Sequence, residues 1–332
     1  MSPLLLGLTL FVGLSALAPS SADDAMTTKG LNPVKVILNW KAEPEFGGFF
    51  ESKINGQYAK SGLAVELIEG GAGTPVVPMV ASGQADFGVA AADDVIIAQE
   101  RGMDVVGIFA VYQNSPLGVM AHEERGYKSF AELMNSSGTL ALQNGSTLSM
   151  VLKDRFPKAK IKSVPYTGGI TFFLKDKSFA QQCYITAEPI LARTKGARPQ
   201  TFSAAEIGYN PYSTLVVARR KLVEENRELV LKFLQATALG WREYLGDAKA
   251  SNAVMNKLNP SMDWMTFAAA SYAQKPLILT SGTRKRGIGR MEEARWESTS
   301  KQLQRLKLIK QSKPASSYFV DFPELGVKDN LR

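Results

Sequence analysis

Between Val80 and Pro116 the chain repeats one phrase: an apolar helical stretch, a glycine that stops it, and a short run of β-branched or aromatic residues. A helix ends at Gly83 and a strand follows over Phe87 to Ala90. A second helix starts at Asp93 or Asp94 and stops at Gly102. A second strand runs from Val105 to Tyr112, and the chain leaves it through Gln113-Asn114-Ser115-Pro116. Glycine just past a helix end is the common stop signal, and the same punctuation recurs at Gly62 and Gly196. Alternating helices and strands imply an α/β fold around a mostly parallel sheet. Small residues at the strand ends bring backbone amides and helix N-termini to one sheet edge, which is where open α/β sheets bind small ligands. No cluster of catalytic side chains accompanies that edge, so the arrangement suits holding a molecule rather than converting it.

The grammar extends in both directions. Val34 to Trp40 reads as a strand, Gly48 to Ser61 as a helix and Ala64 to Glu69 as a strand, with a Gly70-to-Pro75 turn leading into a further helix. After Pro116 come strands at Leu117–Ala121, Thr139–Leu142, Ile161–Val164 and Gln182–Thr186, separated by helices at 130–134, 146–156, 170–176 and 188–195. Tyr212 to Ala218 is a strand that returns the chain to its first half. The longest helix, Glu225 to Leu245, places Leu229, Phe233, Leu234, Ala238, Trp241 and Leu245 on one face. The reading is two α/β lobes, the second inserted into the first. Residues 33–114 with 214–311 form one lobe, 115–213 the other, and 312–332 an irregular tail. Two crossings, near Tyr112–Ser115 and Asn210–Ser213, would form a hinge.

A length of 332 residues suits about two domains. The net charge of +8 is spread along the chain, with Arg284-Lys285-Arg286 the one short run, so no basic stripe of the kind nucleic acid requires is present. Leu4 to Ala18 is apolar and is followed by Pro19-Ser20-Ser21-Ala22 and Asp23-Asp24. That pattern predicts a secretory signal over residues 1–22, too short to span a bilayer, where about 18 to 20 apolar residues are needed. Intact-mass analysis of secreted material is expected to show a chain beginning near Asp23; a full-length chain in the cytosol would contradict export. Cys183 is the sole cysteine, which excludes an internal disulfide, and no cysteine near the signal offers a lipid anchor. Periplasmic localisation as a monomer follows as the expectation. His122, the sole histidine, sits among Glu123, Glu124 and Arg125, so neither a metal site nor a Ser-His-Asp triad has support; no catalytic residue, metal or cofactor is expected.

Four stretches carry a resemblance: Val36-Ile37-Leu38-Asn39-Trp40 with Phe46-Gly47-Gly48, Gly83-Gln84-Ala85-Asp86-Phe87-Gly88, Thr186-Ala187-Glu188-Pro189, and Gly287-Ile288-Gly289-Arg290-Met291 leading to Arg295-Trp296. In their order and spacing they resemble periplasmic substrate-binding proteins of ABC importers, in the branch that includes nitrate, aliphatic-sulfonate and thiamine-pyrimidine-precursor binders. The resemblance implies a two-lobe periplasmic binding protein fold (type II) with ligand in the interlobe cleft. It also implies a permease and an ATPase as partners and a small planar, nitrogen-bearing solute as ligand. The same branch includes an enzyme that makes the thiamine pyrimidine from its own histidine. Here Phe46 stands where that loop would carry His, and the enzyme's cysteine cluster is missing. Nitrate or sulfonate binding, that synthase activity, and a ligand sensor for a signalling partner are the alternatives.

Residues at the predicted edge are the ligand candidates. Trp40 is either a stacking wall for a planar ring or a core residue sealing the sheet. Asn39 either faces the cleft or caps the strand end. Phe46 either covers the ligand or staples the next helix. Gly73 and Thr74, with Gly71 and Ala72, either present amides or simply turn the chain. Asp93 is an N-cap or an acceptor for a ligand amine, with Asp94 its rival. Gln143, Ser146 and Thr147 open a second-lobe helix, one of the last two as its cap. Tyr112, Tyr166 and Tyr212 border cleft or crossover segments. Glu188, between an apolar strand and Pro189, is either a helix N-terminal acid favoured by the dipole or a cleft carboxylate that suits amines and repels anions.

Overall fold

The structure is a computed structural model and describes residues 30–325, so the expected signal over 1–22 lies outside the described residues. In chain order the strands are β1 (Asn32–Ile37), β2 (Leu63–Ile68), β3 (Phe87–Ala90), β4 (Val105–Tyr112), β5 (Leu117–His122), β6 (Thr139–Leu142), β7 (Lys162–Pro165), β8 (Phe179–Tyr184), β9 (Pro199–Ser203) and β10 (Ser213–Arg219). They form two five-stranded sheets with the orders β2-β1-β3-β10-β4 and β7-β6-β8-β5-β9. Each sheet is mixed rather than mostly parallel. β1 runs parallel to β2 and β3, and β10 antiparallel to β3 and β4. β6 runs parallel to β7 and β8, and β5 antiparallel to β8 and β9. The reversed strand in each sheet is the one that directly follows a crossing between the lobes.

The first lobe is built on a close helix contact. Helix Gly47–Ile54 lies directly on helix Arg227–Gly246. A Cβ at Gly47 would sit 2.1 Å from the Tyr244 ring, one at Gly48 would sit 2.2 Å from the Trp241 ring, and one at Gly240 would sit 2.2 Å from the Gly48 carbonyl oxygen. Ser52 Oγ donates to the Ala236 carbonyl at 2.7 Å across the same seam. The Gly-Gly pair after Phe46 is therefore a packing requirement. Residues 312–325 run along the β4 edge: Gly107 N donates to the Tyr318 carbonyl at 2.9 Å and Val320 N to the Gly107 carbonyl at 3.0 Å. Tyr318, Phe319, Phe322 and Leu325 are buried against the first lobe, so this segment both covers an exposed strand edge and completes a core.

The two crossings are joined to each other. Ser115 N donates to Asn210 Oδ1 at 2.8 Å, and the Ser115 and Ser213 hydroxyls lie 3.0 Å apart. Arg295, on helix Glu293–Arg305, donates from Nε to the Asn210 carbonyl at 2.9 Å and from Nη1 to the Gln113 carbonyl, with its guanidinium 4.6 Å from the centre of the Tyr212 ring. One side chain thus ties both crossings to the first lobe. Arg295→Ala is expected to destabilise the chain by about 1–3 kcal/mol through the two freed carbonyls and to broaden the distribution of lobe separations seen by small-angle scattering. An unchanged melting temperature and scattering profile would remove this role.

Candidate functional site

At the second-lobe edge, β8 ends at Tyr184 and three residues later a helix begins at Glu188 with Pro189 in its first turn. Proline fits there because the first helical N–H groups have no intrahelical partner. The Glu188 side chain folds back over the turn. Its Oε2 accepts from Tyr184 N at 2.8 Å and its Oε1 accepts from the Tyr166 hydroxyl at 3.1 Å. Glu188 keeps open surface, yet desolvation pushes its carboxyl above the usual range, partly offset by these hydrogen bonds.

The facing wall belongs to the first lobe. β1 stops at Ile37, and the Trp40 carbonyl still accepts from Gly70 N at 3.0 Å beyond the strand. Trp40 packs on the first-lobe core while retaining open surface, and its Nε1 donates to Glu43 Oε1 at 3.2 Å. Asn259 Nδ2 donates to the same oxygen at 3.1 Å. Desolvation, and next the charge of Glu188, push Glu43 up to about 8. Glu45, two residues on, is raised well above its ordinary value by burial and then by the charges of Glu43 and Glu188. Gln274 holds the loop between them, donating from Nε2 to the Pro44 carbonyl at 2.9 Å and accepting from the Tyr112 hydroxyl at 2.7 Å. Tyr112 meets Tyr184 edge to face across the lobes, ring centres 6.4 Å apart.

A third group closes the base. Helix Ala92–Glu100 is capped by Asp94, not Asp93: Asp94 Oδ2 accepts from Ala91 N at 3.0 Å. Asp94 has open surface while burial, and then the charge of Asp93, push its carboxyl up to about 7. Open surface on a desolvated group places Asp94 on the wall of an enclosed space. Asp93 is buried and reaches across the lobes, its Oδ2 accepting from the Tyr209 hydroxyl at 2.8 Å; its Oδ1 has no partner among the described residues. Tyr209→Phe would leave both oxygens of a buried carboxylate unpaired. A loss of about 1–3 kcal/mol in thermal unfolding is expected, and no change would show that Asp93 relaxes into solvent.

The remaining candidates separate. Phe46 is fully buried in the first-lobe core, which corrects its placement over a ligand. Tyr212 is buried and its hydroxyl accepts from Glu292 N, a hinge-side role. Gly73 turns the chain at φ +84°, and Thr74 Oγ1 accepts from Gly71 N at 2.8 Å, closing that turn on itself. Ser146 is the cap of helix Thr147–Arg155, accepting from Ser149 N, while Thr147 is buried at its first position. Gln143 is exposed, and its N–H donates to Gln182 Oε1 at 2.6 Å. Asn39 lies half-buried beside Trp40. Sequence reasoning missed Glu43, Glu45, Tyr184 and Asn259. The signal was available in part, since Glu43-Pro44-Glu45 directly follows the Trp40 strand end. Among the described residues no three His, Cys, Asp or Glu side chains are arranged to hold a metal ion. His122 is buried in the second lobe, stacked on Phe173 at 3.9 Å, with Nε2 2.7 Å from the Phe173 carbonyl oxygen. A shallow groove on that lobe, lined by Tyr127, Lys128, Arg193 and Arg198, gathers none of these buried groups.

A protein-family model described as NMT1/THI5 like matches residues 43–250. The chain belongs to this family. It is 22% identical over 242 residues to the formylaminopyrimidine-binding protein of Halalkalibacterium halodurans, covering 70% of this chain and 73% of that one. It is 21% identical over 245 residues to the riboflavin-binding protein RibY of Chloroflexus aurantiacus, covering 70% and 68%. Similarity to the 4-amino-5-hydroxymethyl-2-methylpyrimidine phosphate synthase of Legionella pneumophila is confined to 101 residues, 30% of this chain and 32% of the enzyme, at 26% identity. Among solved structures, the periplasmic aliphatic sulphonate binding protein SsuA of Escherichia coli superposes with a TM-score of 0.65 at 15% identity, over 87% of this chain and 92% of that one. The two-lobe periplasmic binding protein fold expected from the sequence is therefore the fold of this chain.

Proposed function

We propose that this chain is the extracytoplasmic solute-binding component of an ABC importer, and that it captures a small planar nitrogen-bearing solute of the thiamine-pyrimidine-precursor type by closing its lobes. The observation that carries the reading is Glu188, held at the second-lobe edge by Tyr184 N and the Tyr166 hydroxyl and facing the Trp40–Glu43 pair of the first lobe. A carboxylate fixed by neighbours accepts from ligand amines without reorganising, and an indole beside it offers a face to a planar ring. Relatives named for binding formylaminopyrimidine and riboflavin, both planar nitrogen heterocycles, support the ligand class. An anion such as nitrate or sulfonate would meet repulsion in a wall this acidic.

Binding rather than catalysis is supported by Phe46, which lies in the core at the loop position where a reacting histidine would stand, and by Cys183, which is buried and is the sole cysteine. Among the described residues no helix is long and apolar enough to cross a membrane. Export through a cleaved signal, action as a monomer, and delivery to a permease driven by an ATPase complete the proposal.

Glu188→Gln tests it. The Tyr166 hydroxyl can turn to accept from the new amide, so the fold is expected to survive. Affinity for formylaminopyrimidine, measured by calorimetry, is expected to fall about tenfold as a charge-assisted hydrogen bond becomes a neutral one. Unchanged affinity would reduce Glu188 to a helix-end residue.

A further inference from the structure

The role proposed for Glu188 leaves the first-lobe pair Glu43 and Glu45 unexplained. Both feel the charge of Glu188 from the other lobe, and Glu45 also feels that of Glu43. Glu43 accepts through Oε1 alone, from Trp40 and Asn259. Glu45 is 8% exposed, and burial and neighbouring carboxylates raise it with no hydrogen bond to offset them. Among the described residues no ion pair involves Glu43, Glu45 or Glu188. The other titratable groups facing the cluster are Tyr112 on β4, Tyr166 after β7, Cys183 and Tyr184 on β8, Asp93 and Asp94 on their helix, and Glu51 and Tyr244 from the packed helix pair. The cation that bears on it is Lys41, whose own side is exposed. Independently, Asp93 Oδ1 is a buried acceptor with no partner among the described residues.

Several carboxylates in a desolvated space cannot all be ionised without a countercharge. The described carboxyl groups are not arranged for a metal ion, so a compact metal is not that charge; a broader organic cation is. We propose that this cleft takes its ligand as a planar cation with an amidine-type edge, a ring nitrogen beside an exocyclic amine, whose charge replaces protons held by Glu43, Glu45 and Glu188. This rests on the reading of the cleft as the ligand site. The exchange balances: a cation enters, one carboxyl proton leaves to water, and the charge of the cleft is unchanged. A neutral aminopyrimidine would instead take its ring proton from the cluster. Because Glu43 is pushed up to about 8, the cluster holds a proton to give at neutral pH. Below that value protons compete with the cation; as pH rises through it the competition ends and cation binding strengthens.

Benzamidine, a planar cation across this range, and benzamide, its neutral isostere, are the probes, measured by calorimetry on the intact chain in buffers of differing ionisation enthalpy. At about pH 8.5 benzamidine is expected to bind at least about tenfold more tightly than benzamide, and to lose about tenfold on going to about pH 6, with proton release on binding. Glu43→Gln and Glu45→Gln, made singly so that one folded variant suffices, should each reduce the preference and the proton release. Equal binding of the two probes, no benzamidine binding, or a preference independent of pH would overturn the proposal. Formylaminopyrimidine separates the two levels. Glu188-dependent binding of it without proton exchange, beside indifference to benzamidine, would sink the cation inference and leave the cleft reading standing. Failure of formylaminopyrimidine to bind while benzamidine behaves as expected would do the reverse to the ligand assignment.

Discussion

Gly48→Ala is expected to cost roughly 3 kcal/mol and to lower the melting temperature by roughly 5 °C or more. The added methyl would sit 2.2 Å from the Trp241 ring, which is fully buried and in edge contact with Phe49 and Tyr244. Neither helix can retreat, because Gly240 already brings the Gly48 carbonyl oxygen to 2.2 Å from where its own Cβ would be. Trp241→Leu in the Gly48→Ala background should recover part of the loss, a non-additivity that marks direct contact. Thermal unfolding of both variants and the double variant is the measurement. A Gly48→Ala chain as stable as the parent would mean that the two helices are not in this register.

The same glycines show what sequence could and could not reveal. A Gly-Gly pair after Phe46 reads equally as a ligand-binding turn or as a close helix contact, because the deciding partners, Trp241 and Tyr244, lie nearly two hundred residues away in sequence. Strands bounded by glycine stops, Phe87–Ala90 and Val105–Tyr112, were legible to the residue. The helix read as one piece over 48–61 breaks at Asn55-Gly56, where Gly56 adopts φ +69°. β9, which starts at Pro199 and alternates weakly, was invisible as a lone segment; it exists because β5 offers it an antiparallel edge. The reversal of β5 and β10 was hidden for the same reason, since strand direction is set by where the crossings land. In the cleft, Glu188 and Trp40 stood out as unusual residues at strand ends. Glu43 and Glu45 did not, because charges flanking a proline look like a solvated loop until the second lobe covers them.

Trp40→Ala is expected to weaken binding of formylaminopyrimidine by ~1–2 kcal/mol, through lost stacking and lost burial. It would also remove one of the two donors to Glu43. Trp40→Phe separates these contributions: it keeps a ring face while deleting the Nε1 donor, and should retain most of the affinity. Because Trp40 also packs on the first-lobe core, unfolding must be followed alongside binding. A large drop in ligand-free stability with near-normal affinity in the folded fraction would make Trp40 structural and remove the main reason for an aromatic ligand.

The most direct test of the cleft as a receptor for a planar nitrogen-bearing solute is calorimetry of the chain lacking residues 1–22. It should be titrated in parallel with formylaminopyrimidine, an alkanesulfonate and nitrate. One-to-one binding of formylaminopyrimidine, abolished or weakened by Glu188→Gln and by Trp40→Ala, with no heat from either anion, is the expected result. Tight binding of the sulfonate or of nitrate, unaffected by Glu188→Gln, with formylaminopyrimidine inert, would contradict it.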